Sequence, residues 1–257
     1  MNIRLTAAAV TSAAALAIAP SASAVAQTPH AASPRSESSI LYEAWGGYVD
    51  QADTNVTLRY VASNFVVPNV NCDNTPNLAA SFWVGLDGSP KADSGTVEQV
   101  GVQVVCTGSA GDVVPSYGAF WESYPNPPEP ISVVPISAGD SIAVSVYYDG
   151  TNYDYSILDN NNRQSATLDE PCGTSKCNRT SAEAVVESGN EGMPDFGTVT
   201  FTGSAVTSHD GTHGTFENNS LWKAVPSDII DTSDQLMAAP GVSDAGGTVS
   251  VTWWNYT

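Results

Sequence analysis

A chain of 257 residues, 42% of them hydrophobic, is long enough for one large all-β domain or two small ones. It carries 8 Lys+Arg against 27 Asp+Glu, a net charge of −19. Nucleic acid and anionic membrane surfaces would repel such a molecule and are excluded as partners.

The first 24 residues read as a secretory signal peptide. Arg4 gives a short basic start, Leu5 to Ala19 is apolar and alanine-rich, and Ala22-Ser23-Ala24 is a small-residue cleavage pattern. Ala26 offers a second, similar cleavage point. Pro20 breaks the apolar run too early for a membrane anchor, so the mature chain is expected outside the cell. Residues 25–39 are rich in Ser, Ala and Pro without periodicity and read as a disordered lead.

Residues 40–257 are expected to form a single domain. Short β-branched and aromatic runs alternate there with Gly, Pro, Asn, Asp and Ser clusters. In chain order the runs are 54–61, 64–67, 82–86, 97–105, 117–124, 141–148, 153–158, 182–187, 197–205, 214–216 and 248–253. Helix is limited to one turn around Asp234 to Ala238. This spacing predicts an all-β antiparallel β-sandwich or barrel.

Within 97–105, Val100, Val102 and Val104 share one face, while Gln99, Gly101 and Gln103 share the other. The valine face is core. The face with Gln99 is expected to be open, with Gly101 leaving room for something to approach. In 182–187 the same alternation puts Glu183 and Glu187 on one face, opposite Ala182, Ala184 and Val186. Glu122 shares its face with Phe120 and Tyr124. Acids interleaved with aromatics on strands suit the floor of a groove for a polymer.

Four cysteines in an exported chain imply disulfides. Cys172 and Cys177 flank a four-residue loop and are expected to pair, which leaves Cys72 for Cys106. A zinc site is disfavoured, because a single C-x4-C has no second close pair. His209 and His213 sit in a Gly-rich loop that reads as a solvated turn rather than a metal site. No G-x-S-x-G elbow is present, so a serine nucleophile has no support.

Seven segments appear in order: Ala44 to Tyr48, Phe82 to Gly88, Val97 to Gly101, Tyr117 to Pro125, Ile136 to Ile142, Ala182 to Glu187 and Asp195 to Phe201. Together they resemble the glutamic peptidases, or eqolisins. The resemblance implies two curved antiparallel sheets of the concanavalin-like jelly-roll kind and an acid endopeptidase without metal or other cofactor. It implies a polypeptide as substrate and a monomer as the working unit. It also implies a catalytic pair, with Gln99 stabilising an oxyanion and Glu187 acting as general base on water. Trp45, Trp83 and Asp87 match positions lining or bracing the groove, Glu122 a groove carboxylate near the pair, and Tyr124 a flap residue. Phe120 and Ser123 stand where the fungal members have tryptophans.

Two rival readings exist. One is a sandwich that binds or cleaves glycans, for which a retaining mechanism needs two carboxylates about 5–5.5 Å apart. Glu183 and Glu187 lie roughly 13 Å apart by strand rise, too far without a third acid such as Glu122. The other is a non-catalytic cell-surface sandwich.

Overall fold

The computed structural model describes residues 40–255 except 43, 74, 90–94, 110, 173–176, 190–191, 218 and 242. The expected signal peptide (1–24) and lead (25–39) lie outside the described residues. In chain order the strands begin with β1 (Ile40–Tyr42), β2 (Trp45–Ala52), β3 (Leu58–Val66), β4 (Ala79–Leu86), β5 (Val97–Ser109) and β6 (Asp112–Tyr124). Next come β7 (Glu129–Pro130), β8 (Ser141–Tyr148), β9 (Asn152–Asp159), β10 (Ser165–Pro171), β11 (Ser181–Ser188) and β12 (Thr198–Ser208). The last four are β13 (His213–Gly214), β14 (Trp222–Ile230), β15 (Leu236–Pro240) and β16 (Val249–Trp253). No helix occurs among the described residues.

The strands follow one hydrogen-bonded path, β10-β9-β8-β3-β12-β16-β15-β14-β2-β11-β4-β5-β6-β7, antiparallel throughout. Off that path, β1 runs parallel to β14. Strand β12 is the joint. Its first half pairs with β16 and its second half with β3. The path therefore folds back on itself as two curved sheets, an all-β sandwich.

The expected alternation decides what lies between them. Phe82, Val84 and Leu86 of β4 and Val100, Val102 and Val104 of β5 are buried. They belong to one core with Val61 and Phe65 of β3, Val144 and Val146 of β8, and Ile157 of β9. Phe65 meets Phe82 at 6.4 Å between ring centroids, and Trp121 meets Tyr155 at 5.2 Å. Each such side chain contributes about 1.5–3 kcal/mol on full burial. Disulfides link Cys72 to Cys106 and Cys172 to Cys177.

Three local readings change. The runs at 54–61 and 64–67 merge into the single strand β3. The helical turn expected at Asp234 to Ala238 is instead a hairpin loop entering β15. There the Asp231 carboxylate accepts the N–H groups of Ser233 and Gln235, each at 2.8 Å, and Asp234 sits at φ 60°. An aspartate that binds the backbone two residues on competes with helix formation. The run at 214–216 contributes only Gly214 to the two-residue β13.

Several acids lie inside this frame. Asp50, Glu98 and Glu183 are fully buried. Asp50 stands opposite Ala182 on the core face of β2, and neither of its carboxylate oxygens has a hydrogen-bond partner. Glu98 shares the face of Val100, and its Oε1 lies 3.4 Å from the bridged Cys177 sulfur, which has no proton to donate. Burial is the first cause raising all three: Glu98 to about 9, with help from nearby Asp87, and Asp50 and Glu183 well above the ordinary value. These groups are neutral in the folded state in acid.

The pH dependence follows from that. Each acid has a higher pKa folded than unfolded, so its proton stabilises the fold fully below about pH 4.5. For Glu98 that stabilisation is lost as pH rises from there towards 9. Each such group steepens the decline by about 1.4 kcal/mol per pH unit. Thermal melts at stepped pH are expected to show falling stability above about pH 5, and Glu98→Gln is expected to remove about one group's worth of that slope. An unchanged slope in the variant would count against a neutral Glu98.

Candidate active site

Five adjacent strands, β2, β11, β4, β5 and β6, present the face that carries Gln99 and Glu187. Their register sets side chains in rows. Trp45, Glu187, Ser81 and Gln103 form one row. Gly47, Val185, Trp83, Gly101 and Phe120 form the next. Val49, Glu183, Gly85, Gln99 and Glu122 form the third. Glu187 and Gln99 thus share a face and stand diagonally on either side of the row that carries Trp83.

This face is not open, contrary to expectation at Gln99 and Gly101. Gln99 is 4% exposed and Gly101 is buried. A second apolar cluster of Trp45, Val49, Trp83, Val97, Phe120 and Val185 covers the sheet here. Gly101 does leave room, but Trp83 takes it. A Cβ at position 101 would lie 2.2 Å from the Phe82 carbonyl oxygen and 2.6 Å from the Trp83 Cβ. Gly88, at φ +91°, does the same for Trp45, whose ring would meet a Cβ at 2.6 Å. Two glycines therefore seat two indoles, which touch edge to face at 4.9 Å.

Both indoles point at one carboxylate. Trp45 donates its Nε1–H to Glu187 Oε1 at 3.1 Å, and Trp83 donates to Oε2 at 2.9 Å. Burial raises the pKa of Glu187 above the ordinary carboxylate value, and the two indole donors pull it back. Each donor favours the ionised form, because a carboxylate accepts at both oxygens and an acid at fewer. Trp83 is fully buried and Trp45 nearly so.

Gln99 faces Glu122 directly across the β5–β6 ladder, and its Nε2 donates to Glu122 Oε2 at 2.7 Å. The Gln99 Oε1 is buried without a hydrogen-bond partner. Glu122 is half-buried, and its pKa is pushed up to about 7, first by desolvation and then by the charge of Glu187, with the Gln99 bond acting against both. Glu187 on β11 and the Gln99–Glu122 pair share this sheet face, and the charge of Glu187 acts on Glu122 across it.

The remaining residues divide. Tyr124, half exposed, ends β6 at a cis Tyr124–Pro125 bond. Asp87 braces and does not line: it is fully buried and accepts the backbone N–H of Arg179 at 2.7 Å and of Thr180 at 3.0 Å. Glu183, expected on an open face with Glu187, is sealed by the second apolar cluster around it, so β11 presents one acid to the trough. His213 meets Thr207 Oγ1 at 3.0 Å on the β12–β13 hairpin, apart from these five strands. Sequence reasoning passed over Asp50 and Glu98, although Glu98 falls in the core register of Val100 and Val102.

Comparisons with known proteins identify the family. Aspergillopepsin-2 of Aspergillus niger is 30% identical over 192 residues, covering 71% of this chain. The chain spans 62% of that relative's length. Aspergilloglutamic peptidase from Aspergillus niger superposes with a TM-score of 0.55 at 30% identity, over 68% of this chain and 98% of that one. A crystal structure of scytalido-glutamic peptidase with a transition state analog inhibitor shares the fold, with a TM-score of 0.67 at 24% identity over 82% of this chain and 98% of that one. The Peptidase A4 family model matches residues 43–253. The chain belongs to the Peptidase A4 family, the glutamic peptidases.

Proposed function

We propose that the mature chain is a secreted acid endopeptidase that hydrolyses polypeptides with Glu187 as general base and Gln99 as oxyanion donor. One observation carries the reading. A partly buried carboxylate is held at both oxygens by indole N–H groups, on the same sheet face as a carboxamide.

The chemistry follows from the two groups. Ionised Glu187 takes a proton from a water as its oxygen attacks the scissile carbonyl carbon. The carbonyl π electrons move to oxygen, and an N–H of Gln99 donates to the oxyanion that forms. Glu187 then hands its proton to the departing amine nitrogen as the C–N bond breaks, which leaves a carboxylic acid and an amine. The step needs no metal and no covalent enzyme intermediate. Tyr124 stands beside the trough as a contact for substrate, and the expected export by the 1–24 signal peptide supplies the setting.

Two neighbouring acids with different environments separate into two roles. Glu187 has two donors and ionises first. Glu122 has one and keeps its proton to about 7. The working window therefore lies between the two, above the ordinary carboxylate value and below neutrality.

Digestion of denatured casein, read across about pH 3 to 7, is expected to show a bell whose acid limb belongs to Glu187. Gln99→Ala is expected to lower kcat about 10²–10³-fold, and Glu187→Gln at least about 10²-fold. Full activity in either variant would exclude this assignment, and glycan release without proteolysis would replace it with the sugar reading. Trp83→Phe removes one donor to the Glu187 anion, worth about 1.5–3 kcal/mol. Its acid limb should move to higher pH by about 1–2 units, and a limb that stays put would show that the indole does not tune the base.

A further inference from the structure

The bond between Gln99 and Glu122 leaves one atom unaccounted for. With Nε2 donating to Glu122 Oε2 at 2.7 Å, the amide oxygen of Gln99 is buried and unpartnered. An orphaned buried acceptor costs about 1–3 kcal/mol. A carboxamide is nearly symmetric in shape, and the hydrogen-bond network around it decides which end is oxygen. The identity of the end that meets Glu122 depends on whether Glu122 is an acceptor or a donor.

An ionised Glu122 has only acceptors, so it binds the NH2 end and holds the oxygen away from itself. A protonated Glu122 has an O–H to give, and the oxygen of Gln99 is the matching acceptor. Rotation of the terminal torsion by about 180° then brings NH2 to the place the orphaned oxygen occupies, turned away from Glu122. Resting on the peptidase reading above, we infer that Glu122 is a positioning residue: its acid proton anchors the oxygen of Gln99 and frees the amide N–H groups for the oxyanion. Ionisation of Glu122 reverses the amide and takes the donor away. Gln99 does not titrate, yet its usefulness does.

The groups facing Glu122 fit this assignment. Gln99 lies opposite on β5, and Glu187 is the charge that acts on it from β11. Glu129 on β7 pairs with Trp121, which places it on the reverse face, and it is exposed. Glu122 is half-buried, so its proton exchanges readily with solvent. Ionising Glu122 beside charged Glu187 is disfavoured, and burial acts in the same direction. The proton is therefore retained through acid conditions.

The test uses Glu122→Gln, which does not titrate and keeps an N–H available to the Gln99 oxygen at every pH. Its alkaline limb is expected at least one pH unit higher than that of wild type, read only where near-ultraviolet circular dichroism shows an intact fold. In wild type, the Gln99 side-chain NH2 resonances are expected to titrate near neutrality, and in the variant to stay still. An alkaline limb at the same pH in both proteins, or Gln99 resonances in wild type that do not move near neutrality, would overturn the inference. The resonances need no substrate. A wild type that cleaves no peptide while Gln99 still titrates would remove the peptidase reading and leave the Glu122-dependent reversal standing.

Discussion

The two indole N–H groups that converge on Glu187 are the constraint from which the rest of this sheet face follows. A buried carboxylate without donors would hold its proton and be useless as a base in acid. Two donors offset that, and each must arrive at a chosen angle from its own strand. Trp45 comes from β2 on one side of β11, and Trp83 from β4 on the other. For both rings to lie over the sheet, side chains must be missing beneath them, and Gly88 and Gly101 are where they are missing. The apolar cluster that holds the rings fixes the two donors, while Glu187 itself stays partly exposed.

Glu122 and Glu187 show how far environment alone can divide identical side chains. Both are glutamates on one trough and both are raised by burial. Glu187 is drawn back down by two fixed donors, and Glu122 is pushed further up by a neighbour already charged. Two glutamates are thus given different proton affinities by their surroundings alone. The Gln99 carboxamide, more buried than either acid, is bonded to Glu122.

Much of this was legible in the chain before any coordinates. Strict alternation at Val100, Val102 and Val104 located Gln99 on the reverse face of β5, and alternation in β11 did the same for Glu187. Alternation says which face a residue takes, and it does not say what covers that face. Hence Glu183, two residues from Val185, reads like Glu187 and is in fact sealed in. Trp45 and Trp83 are likewise silent on where their indole nitrogens point. Strand β2 went unread because Gly46 and Gly47 dilute its pattern. A Cβ at position 47 would lie 2.4 Å from the Ala184 carbonyl, so that dilution is itself a packing requirement. The Asp231 loop was missed because its turn is made by a side chain binding backbone, which hydrophobic period does not record.

The buried acids Asp50, Glu98 and Glu183 make the stability of the sheet frame depend on proton supply. Their neutral forms behave as ordinary interior groups only while protons are plentiful. Redesigning the Gln99–Glu187 face for use at neutral pH would leave that dependence in place. Tolerance of neutral pH has to be built in the interior, by exchanging these carboxyls for amides or hydrocarbons away from the site.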